Sequence, residues 1–93
     1  MALRKRVQNR VQLHPMTGPK WAFGKVMREH RKAKGLSQEQ LAEAAGIDRS
    51  FVSLVERGIQ SPNVAVLFKI AEVFEIAAAS LVAEVEEILH RPV

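Results

Sequence analysis

Apolar residues recur at helical spacing over most of the chain beyond residue 20. In the segment that starts at Trp21, one face of a helix is formed by residues at i, i+3, i+4 and i+7, namely Phe23, Val26, Met27 and His30. A later segment repeats that spacing with Leu67, Ile70, Ala71 and Phe74. This periodicity predicts an all-α protein.

Capping and breaking residues divide the pattern into five helices. Gly35 ends the first helix, because glycine adopts the left-handed conformation of a C-terminal cap without a Cβ penalty. Ser37 and Gln40 have the spacing of a capping box and predict the start of the second helix. After a turn of about three residues, in which Asp48 is placed as a cap, we expect a third helix from Arg49 to about Arg57. A fourth helix is expected after Pro62 and Asn63, and a fifth over about Ala78–Leu89.

The first twenty residues, MALRKRVQNRVQLHPMTGPK, have no apolar stripe and end in the breakers Pro15, Gly18 and Pro19. We therefore interpret 1–20 as a flexible, disordered arm and 21–90 as the folded domain. A short strand that forms against a partner is the alternative, since three apolar residues of the arm alternate with polar ones.

Positive charge is concentrated at one end of the chain. Residues 1–34 contain ten Lys or Arg and one acid, whereas residues 35–93 contain four basic and nine acidic residues. A polyanion such as nucleic acid fits this segregation, and a solvated tail without a partner is the alternative.

Several function classes do not fit the composition. The 93 residues suffice for one small domain, and without cysteine there is no disulfide framework and no Cys-based metal site. We also expect no cofactor and no metal site built on histidine. No apolar run is long enough to cross a membrane or lead export, so a soluble cytoplasmic protein is expected. The chain also lacks the paired nucleophile and base, phosphate loop or metal cluster of an enzyme.

The predicted third helix has two opposed faces. At about 100° per residue, one arc is polar and the other apolar. The polar arc contains Arg49, Ser50, Ser53 and Arg57, and the apolar arc contains Phe51, Val52 and Val55. The polar arc suits the major groove of DNA, where arginine can bond guanine with both prongs, although an ordinary solvated face gives the same pattern. A short helix and a tight turn before it favour recognition.

The run GLSQEQLAEAAGIDRSFVSLVERG, from Gly35 to Gly58, resembles the helix-turn-helix domain of the XRE or phage-repressor type. Its stretch IDRSFVSLVERG is especially similar to the controller proteins of restriction-modification systems. The resemblance extends from Phe23 to about Glu84. It implies a five-helix, lambda-repressor-like DNA-binding domain with the turn and recognition helix at 46–57.

The resemblance also implies residue roles. Gln38 would bond the phosphate backbone and brace the recognition helix, while Arg57 would contact the backbone. Arg49, Ser50 and Ser53 would read bases. Arg31 and Glu56 match a largely buried structural salt bridge. The arm adds Arg4, Lys5, Arg6 and Arg10 as candidate DNA contacts, with a leader that makes no contact as the alternative.

The expected function is a sequence-specific transcriptional regulator that binds double-stranded DNA as a homodimer on an inverted repeat. The fifth helix, 78–89, is expected to form the dimer contact, since nothing else in the chain evidently covers its apolar stripe. That stripe is represented by Leu81, Val82, Val85 and Ile88. The alternative is the antitoxin of a toxin-antitoxin pair, which binds a protein partner as well as DNA.

Overall fold

The structure, a computed structural model, describes residues 18–90 and has five α-helices in that range. They are α1 (Pro19–Ala33), α2 (Gln38–Ala45), α3 (Arg49–Glu56), α4 (Val64–Phe74) and α5 (Ala78–Leu89). The predicted all-α, five-helix fold is confirmed, and α5 has the bounds expected from the sequence. Within the described range, no helix is both long and apolar enough to span a membrane.

The first helix begins at Pro19, two residues earlier than the sequence predicted. Proline at the first helical position needs no backbone N–H and has a φ that already suits the helix, so here it starts the helix and does not break it. Gly18 before it is extended, and its carbonyl accepts the first bond from the Ala22 N–H at 2.9 Å. Pro19 and Lys20 thus extend the helix into the predicted arm, whose residues 1–17 lie outside the described part.

Side-chain caps fix the starts of two helices. Ser37 accepts a hydrogen bond from the Gln40 N–H at 3.0 Å, and the Gln40 side chain accepts one from the Ser37 N–H at 2.8 Å, which completes the predicted capping box. At α4, Asn63 accepts from the Val66 N–H at 2.8 Å. Asp48 occupies the N-cap of α3, but its side chain makes no capping bond, so the sequence predicted its position and not its contact.

The core lies between the five helices. α1 packs against α3 and α5, α2 packs against α3 and α4, and α4 packs against α5. The largest fully buried side chains come from all five helices, and they are Val26, Met27, Leu41, Val52, Val55, Ile70 and Leu81.

His30, which the sequence places on the apolar face of the first helix, joins three helices at the edge of this core. Its ring stacks on Phe74 with centroids 5.4 Å apart. Its Nε2 donates to the carboxylate of Glu84 at 3.0 Å, which connects α1 to α5.

Most of the apolar stripe of α5 is covered within the chain, and the expectation that nothing in the chain covers it is wrong. Leu81 is fully buried, with 0% of its surface exposed, and Val85 is also buried. Both belong to the core cluster that α1 closes, and Ile88 is half-buried against the same cluster. Val82, by contrast, keeps 42% of its surface exposed. Leu81 and Val85 are therefore core residues of the single chain.

Leu81→Ala should lower the free energy of unfolding by about 2 to 5 kcal/mol, because it removes buried methyl groups and leaves a cavity in the core. The neighbouring Val82→Ala is the control and should cost much less, since its side chain is partly solvated. Urea denaturation measures both. Equal losses in the two variants would contradict the assignment of Leu81 to the core.

Candidate nucleic-acid interface

The turn between α2 and α3 sets the relative orientation of the two helices. It comprises residues 46–48, the three residues expected. Gly46 lies in the left-handed region with φ 70°, and the next N–H, of Ile47, bonds the carbonyl of Ala42 at 2.9 Å. A side chain would be strained at that φ, which explains the glycine. Ala42 is buried in the core beside α3.

The two faces of α3 meet different surroundings. Val52 and Val55 are fully buried, whereas Arg49 and Ser50, at the start of the helix, are exposed. Arg57 is exposed just past its end, and Ser53 is half-buried between them. The polar arc predicted from the sequence is therefore open to solvent, with its two guanidinium groups at opposite ends of α3.

The carboxylate of Glu56 connects α1, α2 and α3. Glu56, at the end of α3, accepts from Arg31 Nε at 2.6 Å and from Arg31 Nη2 at 2.9 Å. Its Oε1 also accepts from Nε2 of Gln38, the first residue of α2, at 3.0 Å. The Arg31–Glu56 pair expected from the resemblance is thus present, and Gln38 braces α3 while its own side chain stays half-buried.

The ion pair is largely withdrawn from water. Only 4% of the Glu56 side chain and 11% of the Arg31 side chain are exposed. Arg31 also donates through Nη1 to the Leu36 carbonyl at 2.8 Å, so the pair fixes the loop between α1 and α2. The hydrogen bond to Glu56 and the charge of that carboxylate raise the pKa of Arg31 above its ordinary value and outweigh the opposing effect of burial.

Sequence reasoning missed the close packing of α1 on α3. A Cβ built on Gly24 would overlap the carbonyl oxygen of Val55, so only glycine allows the two backbones to approach this closely. A glycine inside an otherwise helical pattern is the signal that could have indicated it. The expected arm contacts at Arg4, Lys5, Arg6 and Arg10 lie outside the described residues.

α2 and α3 are short helices joined by a three-residue turn, and an ion pair holds α3 against α1. This arrangement defines a helix-turn-helix domain. Comparison with known families agrees. The profile of the HTH_3 helix-turn-helix family matches residues 27–81, more than half of the chain, and the protein belongs to this family.

Named relatives are gene regulators. The chain is 35% identical over 66 residues to the HTH-type transcriptional regulator SinR of Bacillus subtilis, a match that covers 70% of this chain and 60% of SinR. It is 45% identical to the restriction-modification controller protein C.AhdI of Aeromonas hydrophila, with a TM-score of 0.62 over 64% of this chain and 91% of that one. The structure of SinR in complex with DNA is 34% identical, with a TM-score of 0.62 over 64% of this chain and 97% of that one. The chain thus spans less than two thirds of the SinR sequence.

Arg31→Met should destabilise the fold by about 3 to 5 kcal/mol, because it leaves the carboxylate of Glu56 buried without its cation. Lys25→Met is the matched control. Lys25 stands on the same helix and pairs with Glu29 at 3.5 Å on the exposed surface, where such a pair contributes about 0 to 1 kcal/mol. The double variant Arg31→Met/Glu56→Leu should recover part of the loss. Denaturant unfolding gives the free energy of unfolding of all three variants. Similar decreases in the two single variants would disprove a special role for the buried pair.

Proposed function

We propose that this protein is a sequence-specific transcriptional regulator that inserts α3 into the major groove of double-stranded DNA. The observation that carries the proposal is the exposed start of α3, where Arg49 and Ser50 face solvent on a helix anchored by the Arg31–Glu56 pair. Base edges in the major groove offer the donor and acceptor pattern that such side chains read. Membership of the helix-turn-helix family and the similarity to SinR, whose complex with DNA has been solved, support it.

The proposal divides the polar side chains of the candidate interface into two groups. Arg49, Ser50 and Ser53 read bases, since they lie along the arc of α3 that faces away from the core. Gln38 and Arg57 contact the phosphate backbone from the ends of α2 and α3, where they fix the register of the helix on the duplex. The basic residues of the arm, Arg4, Lys5, Arg6 and Arg10, remain a predicted addition to the backbone contacts.

Arg49→Ala should reduce discrimination at one base position by about 1 to 3 kcal/mol, which is roughly 5- to 150-fold. The bound sites are first selected from a random pool of duplexes, and the affinity of each single-base variant of the selected site is then measured. Lys69→Ala, which removes one positive charge from the exposed surface of α4, is the control and should leave the base preference unchanged. A profile that Arg49→Ala leaves the same at every position would rule out base reading by this residue.

We further propose that the regulator acts as a homodimer on an inverted repeat. A two-fold dimer can place its recognition helices in successive major grooves, about 34 Å apart. A dimer of this kind packs the same patch of both copies together, so the patch must complement itself. An uncharged apolar patch meets that condition.

The burial of Leu81 moves the proposed contact to the apolar residues that stay exposed. Val64 and Phe68 lie one turn apart on α4 and are 70% and 62% exposed. Val82 lies on α5, which packs against α4, and it lines an apolar cleft of about 190 Å³ together with Leu67. Of the four residues expected to form the dimer contact, Val82 and the half-buried Ile88 stay in this proposal.

Phe68→Asp should give a folded monomer with weak affinity for the inverted repeat, because it places a charge within the proposed contact. Phe68→Leu keeps an apolar side chain at the same position and should remain a dimer. Sedimentation equilibrium gives the mass of each variant, and circular dichroism checks that each is folded. If the Phe68→Asp variant sediments with the mass of the wild type, the dimer does not use this face.

A further inference from the structure

A second charged surface lies on the flank of α1, outside the residues that the resemblance assigns to DNA. It is a groove of about 370 Å³ between α1 and the end of α3. Its lining residues are Trp21, Lys25, Arg28, Glu29, Lys32 and Glu56. We call Lys25, Arg28 and Lys32, which follow one another at i, i+3 and i+7 along one face of α1, the basic ridge.

The positive charge of the ridge is not cancelled by the two acids beside it. The carboxylate of Glu56 is occupied by Arg31, and Glu29 lies 3.5 Å from Lys25. Among residues 18–90, neither Arg28 nor Lys32 has an acidic oxygen within 4.0 Å. Like charges four residues apart on a helix repel each other, and a bound anion would relieve that repulsion. An anionic partner is therefore the natural occupant of the groove.

The groove adjoins the candidate interface, and shared contacts hold the two together. Glu56 lines the groove and also accepts from Gln38, so one residue belongs to both surfaces. The contact of Gly24 with the Val55 carbonyl fixes α1 against α3, as described above. In the proposed complex Arg57 contacts a phosphate just past the end of α3, and Glu56, which lines the groove, is the residue before it.

We infer that the basic ridge binds phosphates of the DNA strand that borders the groove occupied by α3. This inference rests on the proposed function and extends its contacts from α2 and α3 to α1. The ridge would add affinity without base preference, because phosphates carry no sequence information directly. Its contribution would fall with salt, since each neutralised phosphate releases condensed counterions.

The test compares three single substitutions that each remove one positive charge. Arg28→Gln and Lys32→Gln alter the ridge, and Lys69→Gln alters the exposed surface of α4. Affinity is measured by fluorescence anisotropy over a range of salt, on a selected duplex and on a scrambled one. Each ridge variant should make the negative slope of log K against log salt shallower by about 1 and weaken binding to both duplexes by roughly five- to tenfold at 0.1 M salt. Lys69→Gln should keep the wild-type slope.

The single tryptophan of the chain gives a second readout, because Trp21 lines the groove and is half-buried. Addition of the selected duplex should protect its fluorescence from acrylamide, and Lys69→Gln should show the same protection. Slopes in both ridge variants equal to that of Lys69→Gln would overturn the inference, as would unchanged quenching of Trp21. That result is also the one expected if the ridge serves an acidic protein.

The experiment distinguishes an error in the ridge inference from an error in the proposed function. If the wild type prefers the selected duplex but the ridge variants keep its slope, the ridge inference is wrong and the proposed function stands. If the wild type binds both duplexes equally, the proposed base reading is wrong, and the slopes on either duplex still report on the ridge. Thermal unfolding of the variants confirms that the exposed substitutions leave the fold intact.

Discussion

The buried pair of Arg31 and Glu56 is the interaction on which the geometry of the interface depends. Glu56 is the last residue of α3, and its carboxylate accepts hydrogen bonds from the two preceding helices, from Arg31 at 2.6 Å and from Gln38 at 3.0 Å. A buried ion pair adds little net stability compared with apolar packing, but either charge alone would be costly. The pair therefore mainly selects one relative placement of α1 and α3, since arrangements that separate these charges are penalised.

Local signals in the sequence predicted most of the helices because their ends are determined by short-range chemistry. The capping box of Ser37 and Gln40 and the left-handed Gly46 act over only a few residues, so they can be recognised from the sequence alone. Two local readings failed. Pro19 starts a helix although it was read as a breaker, and Asp48 holds an N-cap position without a capping bond. Residue type indicates what a position permits, and the surrounding chain determines which option is taken.

The apolar stripe of α5 shows what could not be predicted from the sequence. The periodic apolar residues of α5 show that this face must be buried, but periodicity does not tell whether the cover comes from the same chain or from a second copy. The structure supplies the answer for Leu81 and Val85, which α1 and the core enclose. The exposed Phe68 lies on α4 outside the apolar stripe, whose members Ile70, Ala71 and Phe74 are buried, and this position leaves it accessible. Tertiary packing thus separates two kinds of apolar residue that a helical wheel treats alike.

The first helix contacts the core and faces solvent along adjacent sides, and this division explains its concentration of charge. Towards the core it presents Gly24 and Arg31, which fix α3 by close backbone contact and by the buried pair. Towards solvent it presents Arg28 and Lys32, whose mutual repulsion offers no benefit to the isolated fold. Since the side that contacts the core fixes the position of the exposed side, any anion that binds the ridge is held in register with α3. A charge pattern that weakens the helix alone is then consistent with a surface arranged for a phosphate backbone.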